Sequence, residues 1–156
     1  MKHIISVLVE NRFGVLARVS GLFSARGFNI SSLAVGETED PTISRMTIVV
    51  NGDDKILEQV KKQLNKLIDI ILVKDYVKKE HIDRELVLFK ININKQNKDR
   101  VVKILKDSPA KIINNKEDSI IVEIIGAQDE IDKLLNSLNK FEIKEMVRTG
   151  RIAMEL

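Results

Sequence analysis

The sequence predicts an α+β protein made of two successive βαββαβ units, each an antiparallel sheet with its helices on one face. Three observations predict it. The 156 residues fit one ordinary domain or two very small ones. Short β-branched runs alternate with stretches whose apolar residues recur at helical spacing. The order of these elements then occurs twice along the chain.

In the first half, residues 4–9 form a β-branched run that enters the turn-rich Glu10-Asn11-Arg12-Phe13-Gly14, so a strand leads into a tight loop. Val15, Leu16, Val19, Leu22 and Phe23 follow at helical spacing, and Arg26-Gly27 supplies a last-turn cation and a terminating glycine. Residues 28–35 and 43–50 read as extended with a polar turn over 36–41 between them, which is a hairpin. Asn51-Gly52-Asp53-Asp54 caps a second helix with Ile56, Leu57, Val60, Leu64, Leu67 and Ile68 on one stripe, before 70–77 returns to strand character.

The charged stretch 78–85 interrupts the apolar periodicity and reads as a linker. The pattern then repeats. Residues 86–93 place Val87, Phe89, Ile91 and Ile93 on one strand face, and 98–106 carry Val101, Val102 and Leu105 as a helix stopped near Pro109. Strands over 111–113 and 119–125 flank the turn Asn114-Asn115-Lys116-Glu117-Asp118. Asp129 opens a helix with Ile131, Leu134, Leu135 and Leu138 on one face, and 141–147 closes the chain with strand-like residues. The organisation expected is two tandem ferredoxin-like βαββαβ units: a domain over 1–77, a linker over 78–85 and a second domain over 86–156. Sheets covered on one face only, with apolar residues at both strand parities, expose more apolar surface than monomers tolerate. Dimerisation through a sheet face or edge is therefore expected.

Composition removes whole classes of chemistry. The absence of cysteine excludes disulfides, thiolate nucleophiles and cysteine-based zinc or iron–sulfur sites. Lys+Arg 26 against Asp+Glu 23 leaves a net charge of only +3, spread evenly, which gives no electrostatic footprint for nucleic acid. No apolar run approaches the roughly 18 residues of a membrane helix, and the N-terminus lacks the features of a signal peptide, so a cytoplasmic protein is expected. His3 and His81 have no ligand spacing and read as solvated or helix-end residues. Glu37, Glu39 and Asp40 cluster as polar groups of a hairpin turn.

One loop carries more specific chemistry. In Asn11-Arg12-Phe13-Gly14-Val15-Leu16, an amide that can donate and accept is coupled to a glycine that permits close backbone approach where a helix begins. Free N–H groups and the positive end of the helix favour a small anion by roughly 0.3–1 kcal/mol. Read alone, the same residues also make an ordinary tight turn. Asn29 follows the helix and could face the same ligand from a neighbouring chain or reinforce the loop.

The loop, set in a βαββαβ unit, resembles the ACT domain, an amino-acid-sensing module of metabolic regulators. The runs Ile5-Ser6-Val7-Leu8-Val9-Glu10-Asn11 and Gly14-Val15-Leu16 extend the match, as does Arg18-Val19-Ser20-Gly21-Leu22-Phe23-Ser24-Ala25-Arg26-Gly27-Phe28-Asn29-Ile30. With Asp40-Pro41-Thr42-Ile43-Ser44-Arg45-Met46-Thr47-Ile48 and residues 57–68, they resemble the family of acetolactate synthase regulatory small subunits. In the second half the resemblance rests on element order, length and the tail Arg148-Thr149-Gly150-Arg151. It implies a non-catalytic subunit of branched-chain amino acid biosynthesis that binds a large catalytic subunit, raises its activity and confers feedback by valine. Thiamine diphosphate, magnesium and FAD are then expected on the large subunit, with no cofactor or metal on this chain. Valine is expected between two copies, held by Asn11, Gly14, Val15 and Leu16 of one and by Asn29 and Ile30 of the other. Loop amides suit the carboxylate, asparagine oxygens suit the ammonium, and Val15, Leu16 and Ile30 offer an apolar socket.

The second copy has Asn94-Lys95-Gln96-Asn97 where the first has its glycine-bearing loop, a flexible loop without a glycine to bring backbone amides close to a carboxylate. It reads as a surface for the partner rather than a second sensor. Three other readings stand beside this one. An acylphosphatase-like hydrolase would need more glycines than Gly14 in its first loop, and an RNA-binding sheet would need more than the 4% of aromatic residues found here. A stand-alone amino-acid-binding ACT regulator of another enzyme is the remaining alternative.

Overall fold

The computed structural model describes residues 2–77 and 79–156, folded as two compact units. The first comprises the chain up to Ile82 together with Arg151–Leu156, and the second comprises Asp83–Gly150. Each is a ferredoxin-like βαββαβ unit with an antiparallel sheet, as the sequence predicts.

In the first unit β1 (Lys2–Glu10) leads into α1 (Val15–Ala25), the hairpin β2 (Ile30–Glu37) and β3 (Ile43–Asn51), then α2 (Asp54–Leu64) and β4 (Ile70–Asp75). The sheet order is β2-β3-β1-β4. Side chains alternate faces along a strand, so Ile5, Val7 and Val9 of β1 point the same way as Met46, Ile48 and Val50 of β3. The helical stripes Val15, Val19, Phe23 and Leu57, Val60, Leu64 close over them. Each large side chain buried in this way contributes about 1.5–3 kcal/mol. Gly27, at φ +68°, ends α1 in the left-handed conformation that a glycine adopts without steric cost. Asp53 caps α2 by accepting the Ile56 N–H at 2.9 Å.

The second unit takes β5 (His81–Asn92) from Asp83 onward, then α3 (Lys98–Lys106), β6 (Lys111–Asn115), β7 (Ser119–Gly126), α4 (Gln128–Ser137) and β8 (Ile143–Arg148), with sheet order β6-β7-β5-β8. Val87, Phe89, Ile91 and Ile93 face inward as the alternation predicts, against Ile120, Val122 and Ile124 and the helical residues Val101, Leu105, Ile131, Leu134 and Leu138. The Glu130 carboxylate reaches back to accept the Ala127 N–H at 2.8 Å and so closes the start of α4.

Four expectations are corrected. Residues 81–85, read as part of a linker, are the start of β5, while Lys78 lies outside the described residues. Ladder hydrogen bonds are made by the backbone, so a charged stretch can pair: Glu85 sits opposite Gly126, and its buried carboxylate accepts from Arg148 Nη1 at 3.0 Å. Residues 151–156, assigned to the second domain, belong to the first unit. Ile68, placed on the α2 stripe, lies beyond the end of that helix and is 95% exposed. His3 is buried rather than solvated, its Nε2 3.0 Å from the Gly52 carbonyl, whereas His81 stacks on Tyr76.

The last strand, β9 (Ile152–Glu155), has no counterpart in the sequence reading; it pairs with β5. Ala153 packs with Ile4, Val49 and Tyr76, on the face of the first sheet opposite the helices. The Arg151 N–H donates to Ser32 Oγ at 2.9 Å, and Glu155 accepts from Lys79 at 2.7 Å and Lys74 at 2.9 Å. Part of the face that sequence alone leaves for a second copy is thus covered by the chain's own tail. Lys79 and Lys74 hold the Glu155 carboxyl down to about 2 from its ordinary 4.5. A carboxyl depressed by folding contributes stability that is present above about 4.5 and lost as pH falls toward about 2. Thermal unfolding of wild type and Glu155→Gln should differ at pH 7, with the gap closing progressively below pH ~4.5. A constant gap down to pH ~2 would rule out this contribution.

Candidate functional site

The loop between β1 and α1 is held in place by its backbone. The Asn11 N–H donates to the Thr42 carbonyl at 2.7 Å, and the Glu10 N–H donates to the Asp69 carbonyl at 2.9 Å. The loop is therefore tied on one side to the β2–β3 hairpin and on the other to the entry of β4. Gly14 follows at φ +80° and is the N-cap of α1, with no side chain closing that helix end. The first N–H groups of a helix lack intrahelical acceptors, so those of Leu16 and Ala17 are open to an anion.

Asn11 is oriented by two acceptors. Its Nδ2 donates to the Pro41 carbonyl at 2.9 Å and to Glu37 Oε1 at 3.1 Å. Both amide hydrogens are engaged there, which leaves Oδ1 as an acceptor facing away from the hairpin. The turn that supplies these partners is itself closed locally. Asp40 accepts from the Thr42 hydroxyl at 2.6 Å and the Thr42 N–H at 2.9 Å, and these bonds hold its carboxyl below the ordinary value. Of the acids Glu37, Glu39 and Asp40, Asp40 is turn chemistry, as its sequence suggests, whereas Glu37 ends β2 and accepts from Asn11.

Of the six residues singled out from sequence, four share this loop and helix start. Their roles differ. Val15 is 3% exposed and belongs to the core, so it offers the site its backbone and not the apolar socket expected of its side chain. Leu16, one position on, is 45% exposed and stands free at the surface. Asn29 and Ile30 lie elsewhere. Ile30 pairs with Val50, which pairs with His3, whereas Asn11 follows Glu10 at the other end of β1. The eight residue steps from His3 to Asn11 correspond to about 26 Å. A single chain cannot bring both groups onto one amino acid.

Two residues beside Gly14 were not singled out from sequence. Arg18, one helical turn along α1, places Nε 2.8 Å and Nη2 2.7 Å from Asp69 Oδ2. Its Nη1 lies 3.1 Å from where a Cβ on Gly14 would sit. The i, i+4 spacing of Gly14 and Arg18 was visible, but Asp69 is brought in by the sheet.

The second unit's equivalent loop is built differently. Asn94 Oδ1 accepts from the Gln96 N–H at 2.9 Å and the Asn97 N–H at 3.0 Å, and Asn97 Oδ1 accepts from the Asn94 N–H at 2.7 Å. The loop read from sequence as flexible closes on itself and spends its amides internally.

With this geometry, the two halves find separate matches. Residues 5–72 match the AHAS small subunit-like ACT domain, and residues 84–156 match the small subunit of acetolactate synthase. A probable acetolactate synthase small subunit of Archaeoglobus fulgidus is 47% identical over 99% of this chain and 96% of its own length. The chain belongs to the acetolactate synthase small-subunit family. The small subunit of Aquifex aeolicus is 44% identical over 98% of this chain and 80% of its own. The crystal structure of the small subunit from Thermotoga maritima superposes with a TM-score of 0.88 at 37% identity, covering 100% of this chain and 98% of that one. Membership thus extends through the second unit, where sequence motifs are weakest. Among the described residues no helix is long and apolar enough to cross a membrane.

Gly14 and Gly27 separate the backbone demands of this family's loop from its packing. Both have positive φ, but a Cβ at Gly27 meets nothing within 4 Å, while one at Gly14 meets Arg18. Forcing an L-residue into this region costs about 1–2 kcal/mol. Urea unfolding should show that loss for Gly27→Ala and a larger one for Gly14→Ala. Equal losses would mean that Arg18 does not crowd the loop.

Proposed function

We propose that this chain is the regulatory subunit of acetolactate synthase in branched-chain amino acid biosynthesis. It docks on the large catalytic subunit, raises its activity and makes it sensitive to valine. What carries the reading is kinship over the whole chain, with both units matched separately by models of small-subunit families. Thiamine diphosphate, magnesium and FAD belong, on this reading, to the large subunit, and catalysis takes place there.

Valine binds at the first unit between two copies of the chain. The strand register supports a shared site, because Asn11 with Gly14 and Asn29 with Ile30 stand at opposite ends of one sheet. The open helix start receives the carboxylate, Asn11 Oδ1 and Asn29 receive the ammonium, and Leu16 and Ile30 flank the branched side chain. Burying a valine side chain contributes roughly 1.5–3 kcal/mol and a charge-assisted hydrogen bond about 1.5–3. Binding at about 0.1 mM needs only on the order of 5–6 kcal/mol net, so one such site suffices. A ligand held between subunits favours one arrangement of them over another, which is the condition for a coupling of roughly 1–3 kcal/mol to the catalytic partner.

The purified chain should bind valine in calorimetry, sediment as a dimer or larger assembly, and impose valine sensitivity on the large subunit when the two are mixed. Gly14→Asp should be silent in the same titration, because it puts a side chain in the ligand's path and a negative charge beside its carboxylate. Equal valine affinity in both proteins would place the site elsewhere, and a stable 17.7 kDa monomer would exclude sharing between copies.

A further inference from the structure

Opposite charges flank the Gly14 loop on its two sides. β3 and β4 lie on either side of β1, so the hairpin that follows β2 and the turn that precedes β4 meet the end of β1 from opposite directions. On the hairpin side stands Glu37, accepting from Asn11 at 3.1 Å. On the other side stands Arg18, gripped by Asp69. A free α-amino acid carries an ammonium and a carboxylate on one carbon, and this loop lies between an acid and a base.

We propose that Arg18 reads the α-carboxylate of the amino acid bound at this loop, with Asp69 as the positioning residue that aims it. The inference rests on the amino-acid site of the preceding subsection and deepens it. A guanidinium has five N–H donors in a fixed plane. The Asp69 carboxylate occupies Nε and Nη2, at 2.8 and 2.7 Å, and so fixes that plane. Nη1 makes no hydrogen bond with the described residues and lies beside Gly14, 3.1 Å from the point where any side chain at that position would begin. The missing side chain at position 14 therefore leaves room for a ligand oxygen within reach of a charged donor and of the open amides that start α1. Asp69 is 7% exposed and Arg18 is half-exposed, so the carboxylate is the fixed member of the pair and the arginine the one that meets solvent. Backbone amides alone would accept a neutral carbonyl as well as a carboxylate. A guanidinium adds a preference for charge, and that preference separates a free amino acid from an amidated one or from a peptide interior.

The test is calorimetry on the full chain with valine and with valinamide, which keeps the ammonium and side chain and lacks the carboxylate. Wild type should prefer valine by at least about tenfold. Arg18→Gln should lose about tenfold or more for valine while valinamide changes by less than about threefold, so the preference collapses. Arg18→Lys should keep part of the preference, and Asp69→Asn, which frees the guanidinium without removing it, should weaken it. Unfolding midpoints of the variants establish that they are folded. Equal losses for valine and valinamide in Arg18→Gln, or no loss for either, would make Arg18 a structural residue and overturn the proposal. Failure of wild type to bind valine at all would overturn the site itself, and this proposal with it.

Discussion

The antiparallel ladder between β1 and β3 is the constraint on which the rest of the first unit depends. Nine residues of β1 pair in unbroken register with nine of β3, from Lys2 opposite Asn51 to Glu10 opposite Ile43. A shift by one residue would turn Ile5, Val7 and Val9 away from the helices and expose the whole core face. The same register sets the end of β1 beside Thr42 and Pro41, which hold the backbone and side chain of Asn11. It thereby decides where Gly14 stands and in which direction α1 starts. Loop geometry that looks local is inherited from the sheet.

The two units share a topology and differ in how they treat one loop. In the first, the turn is tied to its neighbours on both sides and leaves the start of α1 without a side-chain cap. In the second, Asn94 and Asn97 satisfy the same stretch internally. The reciprocal pair of asparagines orders the turn that precedes α3, while α3, like α1, begins without a side-chain cap. What sets the first loop apart is Gly14 at φ +80°, where α3 has Asn97 in ordinary right-handed backbone. The two loops therefore differ in backbone and in what anchors them within one shared topology.

The C-terminal residues change the accounting of surfaces. Ala153 closes a small cluster with Ile4, Val49 and Tyr76, so the centre of the first sheet is buried on both faces. Leu72 and Ile71 on β4 stay exposed, as does Leu16 at the start of α1. Apolar surface left open in this unit lies at the loop end, on both edge strands, where Val35 of β2 is also exposed, and along the C-terminal residues Ile152, Met154 and Leu156. A partner copy that covers an edge meets unpaired backbone groups as well as apolar side chains.

Much of this molecule was legible from sequence because it is written in periodicity. Val87, Phe89, Ile91 and Ile93 announce their common face by alternation, and Asp53 announces a helix start by its chemistry. Asn11 and Gly14 stand out because few residue types serve an oriented amide and a positive φ. What the sequence could not carry lies between distant positions. The charged residues 81–85 join a ladder through backbone groups that hydropathy does not record, and β9 is recruited from the far end of the chain. Val15 and Leu16 are alike in sequence, and only the rotation of α1 on its sheet buries the first and exposes the second. Asp69 and Arg18 stand 51 positions apart, and nothing local links them. Residue type and spacing therefore determined the elements and the Gly14 loop. Strand register and helix rotation, which depend on packing all elements at once, decided which side chains face the site and that Asn29 and Ile30 lie beyond its reach within one chain.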